Sequence, residues 1–305
     1  MLSRIGEVEI WRVLESIVPL VPIQKFLPDL TDALLREYRH LIEPHGLRRD
    51  PDTGIDWIVL PIQAFLLRTP RNLILIDACV GNDKTLPTRP QWHQQRSGRF
   101  MAALSGAGAT VEDVTHVMCT HLHVDHVGWT TTLKDGRWVP TFPNARVMAT
   151  QADLDHARAM AEAHPAHNPG HIWRESIEPL LDDNRFDIVT ADHELDPAIR
   201  LRPTPGHTPG HVAVEIAAPS GRAPAPVQNG GAITGDLMHT PLQCALPDQS
   251  ASVDWDPQMS AKTRQAFMED MAEQQRLVMA THFPLPSIGH IDQADSGFIW
   301  QPCCG

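Results

Sequence analysis

The segment Thr120-His121-Leu122-His123-Val124-Asp125-His126 places three imidazoles and one carboxylate within six positions, directly after the apolar run Val117-Met118-Cys119. Zinc and similar divalent metals take imidazole and carboxylate ligands. Because side chains two residues apart share one face of an extended strand, His121 and His123 are predicted to bind the same metal. The pair Asp125-His126 falls on the following turn and can hold a second metal. The segment therefore predicts a dinuclear metal site.

Further candidate ligands follow other short apolar runs. His207 lies in the turn Pro205-Gly206-His207-Thr208-Pro209-Gly210-His211, ahead of the strand-like Val212-Ala213-Val214-Glu215-Ile216. Asp236 ends one apolar run and His282 ends another. In each case a buried strand is predicted to deliver one ligand at its tip, where sites are commonly built in layered α/β folds.

The order of these motifs resembles that of the metallo-β-lactamase superfamily: His-x-His-x-Asp-His, a Gly-His-Thr-x-Gly-His turn, Gly-Asp, and a late histidine. The upstream Leu75-Ile76-Asp77 is similar to the aspartate-bearing strand of that family, and matching elements run from about Ile55 to Pro286. The resemblance implies an α/β fold, a four-layer αββα sandwich of the metallo-β-lactamase type. Within the superfamily, the chain most resembles the lactonase and methyl parathion hydrolase-like branch.

The resemblance also implies a ligand set for two divalent metal ions, with zinc as the expected metal. A bridging hydroxide suits two cations about 3.5–4 Å apart. Asp77 is expected to orient one histidine ring, although the same strand end also fits an ordinary structural aspartate. The implied ligands are His121, His123 and His207 for one metal, Asp125, His126 and His282 for the other, and Asp236 as the bridge.

Two residues are candidates for a catalytic role, Asp125 and His239. Lactone-opening relatives carry a tyrosine three residues after the bridging aspartate, whereas here that position is His239 and the single tyrosine of the chain is Tyr38. A histidine there resembles the methyl parathion hydrolase branch. Imidazole can act as an electrophile or general acid near neutral pH. The alternative is that His239 hydrogen-bonds a metal ligand.

Candidate pocket residues are less well specified. Trp129 lies three residues after a predicted ligand and is a candidate pocket wall, although core packing explains a tryptophan equally well. A helical insertion at about 151–183 resembles the substrate-covering insertion of lactonase-like relatives. Its break is rich in histidine, which fits either the mouth of a pocket or an exposed turn between two helices. The pocket candidates there are His164, His167 and His171.

The predicted organisation is a single domain over residues 1–305. Strands are predicted within Gly6–Val18 and Trp57–Ile76, and the spacing of Asp29–Tyr38 predicts a helix between them. This helix lies in an N-terminal arm at about 18–54 that is longer than a minimal core requires. Such an arm can cover the site or contact a partner subunit. The second reading predicts a homodimer.

Composition narrows the classes of partner. The chain has 305 residues, 42% of them hydrophobic, which permits a substantial core. Its net charge of −12 argues against nucleic-acid binding, which requires a basic surface. No signal-peptide or membrane-spanning stretch is predicted. Five cysteines without a framework spacing fit a reducing compartment, and we expect a cytoplasmic location.

The sequence therefore predicts a metal-dependent hydrolase that opens a lactone or carboxylic ester through a metal-bridging hydroxide. One alternative is an organophosphate or aryl-ester hydrolase. A second is a glyoxalase-like thioesterase, which is disfavoured because the segment from Phe283 to Gly305 has no Lys or Arg to bind a glutathione carboxylate. A third is a mononuclear iron dioxygenase of the same fold.

Overall fold

The computed structural model describes residues 1–217 and 229–303. The chain divides into two compact units. The first comprises Met1–Ser16 and Ile62–Asp196, and the second comprises Ile17–Pro61 and Pro197–Gly305.

Both units contain strands and helices. In chain order the strands are β1 (Ser3–Ile5), β2 (Val8–Pro22), β3 (Leu47–Arg49), β4 (Asp56–Arg68), β5 (Leu73–Ile76), β6 (His116–Met118), β7 (Thr131–Lys134), β8 (Arg137–Pro140), β9 (Arg146–Thr150), β10 (Phe186–Val189), β11 (Glu194–Asp196), β12 (Ile199–Pro203), β13 (Val212–Ile216), β14 (Gly231–Ile233), β15 (Leu277–Met279), β16 (Ile288–Gln293) and β17 (Phe298–Pro302). The α-helices are α1 (Ile23–Phe26), α2 (Asp32–Tyr38), α3 (Arg99–Gly106), α4 (Val124–Val127), α5 (Gln151–Ala163), α6 (Asn168–Ile172), α7 (Glu178–Asp182), α8 (Leu242–Ala245) and α9 (Pro257–Glu273).

The first unit is built on a sheet with the strand order β1-β2-β4-β5-β6-β9-β10. Strands β5, β6, β9 and β10 pair in parallel, with Leu75 opposite Val117 and Val117 opposite Val147. Buried parallel strands read as continuous apolar runs, and all four residues of β5 are buried. Because parallel strands end at the same edge of a sheet, Asp77 after β5 and His121 after β6 emerge there together.

The sheet of the second unit has the order β12-β13-β14-β15-β16-β17. Strands β14 and β15 are parallel, and β13 is antiparallel to both β12 and β14. It follows that β12, β14 and β15 all end at one edge of this sheet. The segments that leave this edge carry His207, Asp236 and His282, so the register explains why three separated motifs converge.

Helix α9 supplies much of the apolar core of the second unit. It begins at the N-cap Asp256, whose side chain accepts a hydrogen bond from the Met259 amide, and proline occupies its first turn. Its apolar face repeats at helical spacing through Phe267, Met268 and Met271, which pack in one cluster with the strands of the sheet.

The predicted α/β class and the predicted strands agree with the structure, with shifted bounds. The region Trp57–Ile76, predicted to form strands, contains β4 and β5, which are separated by a turn in which the Thr69 amide donates to the Asn72 carbonyl. The helix expected from Asp29 begins at Asp32 because Thr31 caps it, accepting a hydrogen bond from the Leu34 amide.

The segment predicted to be a helical insertion is helical in the structure. Helices α5, α6 and α7 cover residues 151–182, with a π-helical turn at Trp173–Ile177 and a break at His164–His167. Within residues 1–217 and 229–303, the structure contains no helix with the length and apolarity needed to cross a bilayer. The single-domain organisation, the role of the arm and the cytoplasmic location remain predictions.

Candidate functional site

In the first unit, the loop after β6 and the short helix α4 gather the histidines of the opening motif. The ring centroids of His121 and His123 are 4.7 Å apart, and those of His121 and His126 are 4.0 Å apart. The Oδ1 atom of Asp125, in the first turn of α4, lies 3.8 Å from Nε2 of His126. The four predicted ligands of this unit therefore form one cluster.

Asp77 lies directly behind this cluster. Its Oδ2 atom is 2.9 Å from Nδ1 of His126, and its Oδ1 atom accepts a hydrogen bond of 2.7 Å from the Thr120 amide. The backbone of Asp77 is left-handed, with a φ of 62°, and both the carboxylate and His126 are buried. The carboxylate thus lies against one ring nitrogen of His126, and the other ring nitrogen is the one available to a ligand.

In the second unit, the candidate ligands converge on Asp236. Its Oδ1 atom lies 3.0 Å from Nε2 of His282, whereas its Oδ2 atom lies 3.4 Å from Nε2 of His207 and 3.1 Å from Nε2 of His239. All four residues are buried. The two carboxylate oxygens therefore face different predicted ligand histidines.

The second unit also holds orienting groups that the sequence reasoning missed. Oδ1 of Asp254 lies 2.8 Å from Nδ1 of His207, and the Pro61 carbonyl oxygen lies 2.9 Å from Nδ1 of His282. His211, the second histidine of the glycine-bounded turn, accepts a hydrogen bond of 2.9 Å from the Asp236 amide through Nε2. Only His211 stood in a recognisable motif; the loop containing Asp254 carried no distinguishing signal.

Asp254 is held in turn by a buried cation, Arg264. Burial raises the pKa of Asp254, but the hydrogen bond with His207 and the surrounding positive charges outweigh it, so the net pKa is lowered. Nη2 of Arg264 lies 3.7 Å from Oδ2 of Asp254, and its Nε donates to the Leu237 carbonyl at 2.9 Å. Arg264 thereby connects the backbone that follows Asp236 to the carboxylate that orients His207.

His239 lies beside Asp236, as its position in the sequence led us to expect. Burial lowers the pKa of His239, and the charge and hydrogen bond of Asp236 oppose that shift. Its ring also meets the ring of Phe26 edge to face, with centroids 5.0 Å apart. Phe26 belongs to α1, so a residue of the predicted N-terminal arm packs directly against this histidine.

The predicted pocket residues occupy two different surroundings. Trp129 is buried; its ring stacks on Phe100 with centroids 5.0 Å apart, and its Nε1 donates to Glu15 Oε1 at 2.6 Å. His164 and His167 are exposed at the break between α5 and α6. His171 is partly buried, with its Nδ1 3.3 Å from Arg174. Their roles in substrate binding remain predictions.

The donor set fits divalent metal ions. Each unit presents several imidazoles together with a carboxylate, the combination that zinc and similar cations prefer. In the second unit, ligand atoms of His207, Asp236 and His239 lie within 4.8 Å of one another. Buried carboxylate and imidazole groups of this density are costly without a compensating charge, which a bound cation provides.

Comparison with curated proteins identifies N-acyl homoserine lactonases as relatives. A lactonase from Bacillus sp is 27% identical over 172 residues, which is 52% of this chain and 58% of the relative. The lactonase AttM of Azorhizobium caulinodans is 23% identical over 192 residues, 57% of this chain and 66% of the relative. The matches thus span about half of this chain and less than two thirds of those relatives.

Comparison with solved structures covers nearly the whole chain. A dizinc quorum-quenching lactonase, AidC, solved in complex with the product N-hexanoyl-L-homoserine, has a TM-score of 0.78 and 22% identity over 99% of this chain and 97% of the other. The hydrolase AbOPH of the beta-lactamase superfamily has a TM-score of 0.76 and 24% identity over the same shares. At these identities the likeness establishes the fold, and the predicted metallo-β-lactamase type of α/β fold is confirmed.

The family assignment rests on a further match. The pattern of the metallo-beta-lactamase superfamily covers residues 57–222, more than half of the chain. This region includes Asp77, which follows β5, the opening histidine motif, which follows β6, and His207, which follows β12. The chain therefore belongs to the metallo-β-lactamase superfamily.

Proposed function

We propose that this protein is a hydrolase that depends on two divalent metal ions, with zinc as the metal. One ion is held by His121, His123 and His207. The other is held by Asp125, His126 and His282, and Asp236 bridges the two.

The observation that carries this proposal is the orientation of the Asp236 carboxylate. One oxygen faces His282 and the other faces His207, at 3.0 Å and 3.4 Å. A carboxylate whose oxygens face two different ligand histidines would be suited to be shared by two cations. This arrangement supports the assignment of His207 and His282 to different ions.

Two bound divalent ions supply Lewis acidity and lower the pKa of water towards neutrality. The residues of the chain hold the reacting groups in place. Asp77 and Asp254 fix the rings of His126 and His207, because each occupies a Nδ1 atom and leaves Nε2 for the ligand bond. We assign His239, 3.1 Å from Asp236, the role of donating a proton to a leaving alkoxide.

The substrate class that we propose is a lactone or a carboxylic ester. In lactone opening, the oxygen of water bonds to the carbonyl carbon, the ring carbon–oxygen bond breaks, and the alkoxide takes up a proton. The products are a carboxylate and an alcohol on one molecule. The N-acyl homoserine lactonases among the relatives favour a lactone over an open-chain ester.

A second candidate is the hydrolysis of aryl esters or organophosphates. It is favoured by His239, because a histidine at this position resembles the methyl parathion hydrolase branch. A phosphoryl centre develops negative charge on its oxygens, and an imidazole N–H can stabilise that charge by donating a hydrogen bond.

The test is turnover of a panel by the zinc-loaded enzyme: an N-acyl homoserine lactone, an aryl acetate, a phosphotriester and a glutathione thioester. We expect the lactone to have the highest kcat/KM. A His239→Gln variant keeps the size of the side chain and should lose kcat while retaining both metals. Highest turnover of the phosphotriester would favour the second candidate. One iron per chain in the protein as purified, without hydrolysis of the panel, would contradict both and favour the dioxygenase alternative.

A further inference from the structure

A buried carboxylate outside the ligand set, Glu15, lies on β2 in the first unit. It is 1% exposed and accepts three hydrogen bonds. The Val80 and Gly81 amides donate to it at 3.0 Å and 3.2 Å, and the indole Nε1 of Trp129 donates at 2.6 Å. All three partners are N–H donors, which a carboxylate accepts fully and an amide side chain cannot, because its NH₂ group would face another donor.

Glu15 binds two segments next to His126: the turn that begins at Asp77 and the residues that follow helix α4. Val80 and Gly81 end the turn that begins at Asp77, and Trp129 follows the ligand helix α4 by two residues. The turn is unusual because Asp77, Cys79 and Gly81 all have positive φ, at 62°, 44° and 80°. Such a backbone persists only where its surroundings determine it. Glu15 provides two of the hydrogen bonds that do so.

The turn and the ligand helix are joined by a ladder of backbone hydrogen bonds. The Ala78 amide donates to the His126 carbonyl at 2.8 Å, and the Gly128 and Trp129 amides donate to the Cys79 and Ala78 carbonyls at 2.7 Å each. The side chain of Asp77 contacts the His126 ring in addition. Any shift of the turn therefore moves His126.

The turn Asp77–Gly81 and the residues that follow α4 are also packed with no space between their backbones. A Cβ atom added at Gly128 would lie 1.7 Å from the Val80 carbonyl oxygen, and one added at Gly81 would lie 2.7 Å from the Gly128 carbonyl carbon. The two backbones thus touch directly at the residues next to those that Glu15 binds. A tightly packed contact transmits a displacement instead of absorbing it.

We propose that Glu15 is a positioning residue for the Asp125 and His126 metal subsite. It acts through the turn Asp77–Gly81 and through Trp129, and it touches neither metal nor substrate. This inference rests on the proposed two-metal function. It assigns Trp129 to the support of the ligand helix.

The test is a Zn²⁺ titration of the metal-free protein in competition with a chromophoric chelator, which resolves two dissociation constants. We expect Glu15→Gln to weaken one constant by about 10-fold or more and to leave the other unchanged, in line with the effect of groups that support metal ligands. The matched control is Asp196→Asn. Asp196 is also buried in the first unit, but it binds Thr69 and Asn72 at the opposite end of β5 from Asp77.

A double variant separates positioning from general destabilisation. Asp125→Asn weakens the same subsite directly, so adding Glu15→Gln to it should weaken that site less than Glu15→Gln does in the wild type. If Glu15→Gln does not fold, Trp129→Phe decides the matter. It removes only the indole donor and keeps the ring on Phe100, and it should weaken the same constant by at least threefold.

Three results would overturn the inference: unchanged constants in a folded Glu15→Gln variant, equal weakening of both constants, or unchanged constants in Trp129→Phe when that variant has to decide. A wild-type protein that binds fewer than two zinc ions would instead overturn the proposed function itself. The two failures are distinguishable because the second is visible before any variant is made.

Discussion

Three of the predicted ligand histidines share one arrangement at the scale of single residues: an oxygen atom lies close to Nδ1 of the ring. Nδ1 of His126, His207 and His282 each lies within 2.9 Å of an oxygen, supplied by a carboxylate in the first two cases and by the Pro61 carbonyl in the third. An oxygen at Nδ1 favours the tautomer in which Nε2 carries the lone pair. The orientation of these three proposed ligands is thus supported by contacts within the chain.

Asp254→Asn tests this arrangement in the second unit. The amide can still accept from His207, but it loses the negative charge and directs an NH₂ group at the Ala251 amide, which now donates to Oδ2 at 3.1 Å. We expect zinc affinity at the His207 subsite to fall by about 10-fold. Asp248→Asn, on an exposed position of the same loop, is the control. Equal zinc affinity in the two variants would show that Asp254 has no orienting role.

A site residue could be predicted from the sequence when it belonged to a local motif. His121 and Asp236 each follow a short apolar run within a motif, so the sequence sufficed to propose them. Asp254 is 47 residues from the histidine that it orients and lies among other acidic residues of one loop. Such a contact is created by the packing of the chain and leaves no local pattern in the sequence.

At the scale of elements, strand ends could be predicted better than helix ends. The apolar run of β5 ended where expected because the following residue, Asp77, adopts a positive φ that ends the strand. The predicted start of α2, at Asp29, was three residues too early, because spacing alone does not show whether Asp29 or Thr31 caps the helix. The π-helical turn Trp173–Ile177 was not foreseen, because it depends on tertiary contacts.

One of those contacts joins the helical insertion to the loop after β5. Lys84 is fully buried, and its Nζ donates to Thr131 Oγ1 at 2.7 Å and to the carbonyl of Glu175, in the π-helical turn, at 3.0 Å. Burial lowers the pKa of Lys84 to about 7, although the charges of Glu175 and Asp83 oppose the shift.

This pKa predicts a pH dependence of stability. An unfolded lysine has a pKa of about 10.4, so between pH 7 and 10 the unfolded chain binds more protons at this site than the folded chain. The free energy of unfolding should therefore rise with pH over that range, whereas below pH 7 both states are protonated and the contribution is constant. Lys84→Met keeps the apolar stem and removes the titration.

The measurement is urea unfolding of the wild type and of Lys84→Met at pH 7 and pH 9. The difference in unfolding free energy between the two proteins should change by about 2 kcal/mol in favour of the wild type as the pH rises. Taking the difference removes the contributions of the other titrating groups. Parallel pH profiles of the two proteins would contradict the lowered pKa.

At the scale of the whole molecule, the proposed function draws its ligands from both compact units. The first unit contributes the opening histidine motif, and the second contributes His207, Asp236 and His282. Each unit alone presents a cluster of imidazoles and carboxylates, which would also fit two separate mononuclear sites. The central claim of the account is that they form a single dinuclear centre.

The most direct test is the zinc content per chain of the wild type, His121→Ala, His207→Ala and the double variant, measured by mass spectrometry of the metal. The two histidines lie in different units but are assigned to the same ion. We predict two ions in the wild type, one in each single variant, and still one in the double variant. A double variant that loses both ions while each single variant loses one would show that the two units bind separate metals, and would contradict the account.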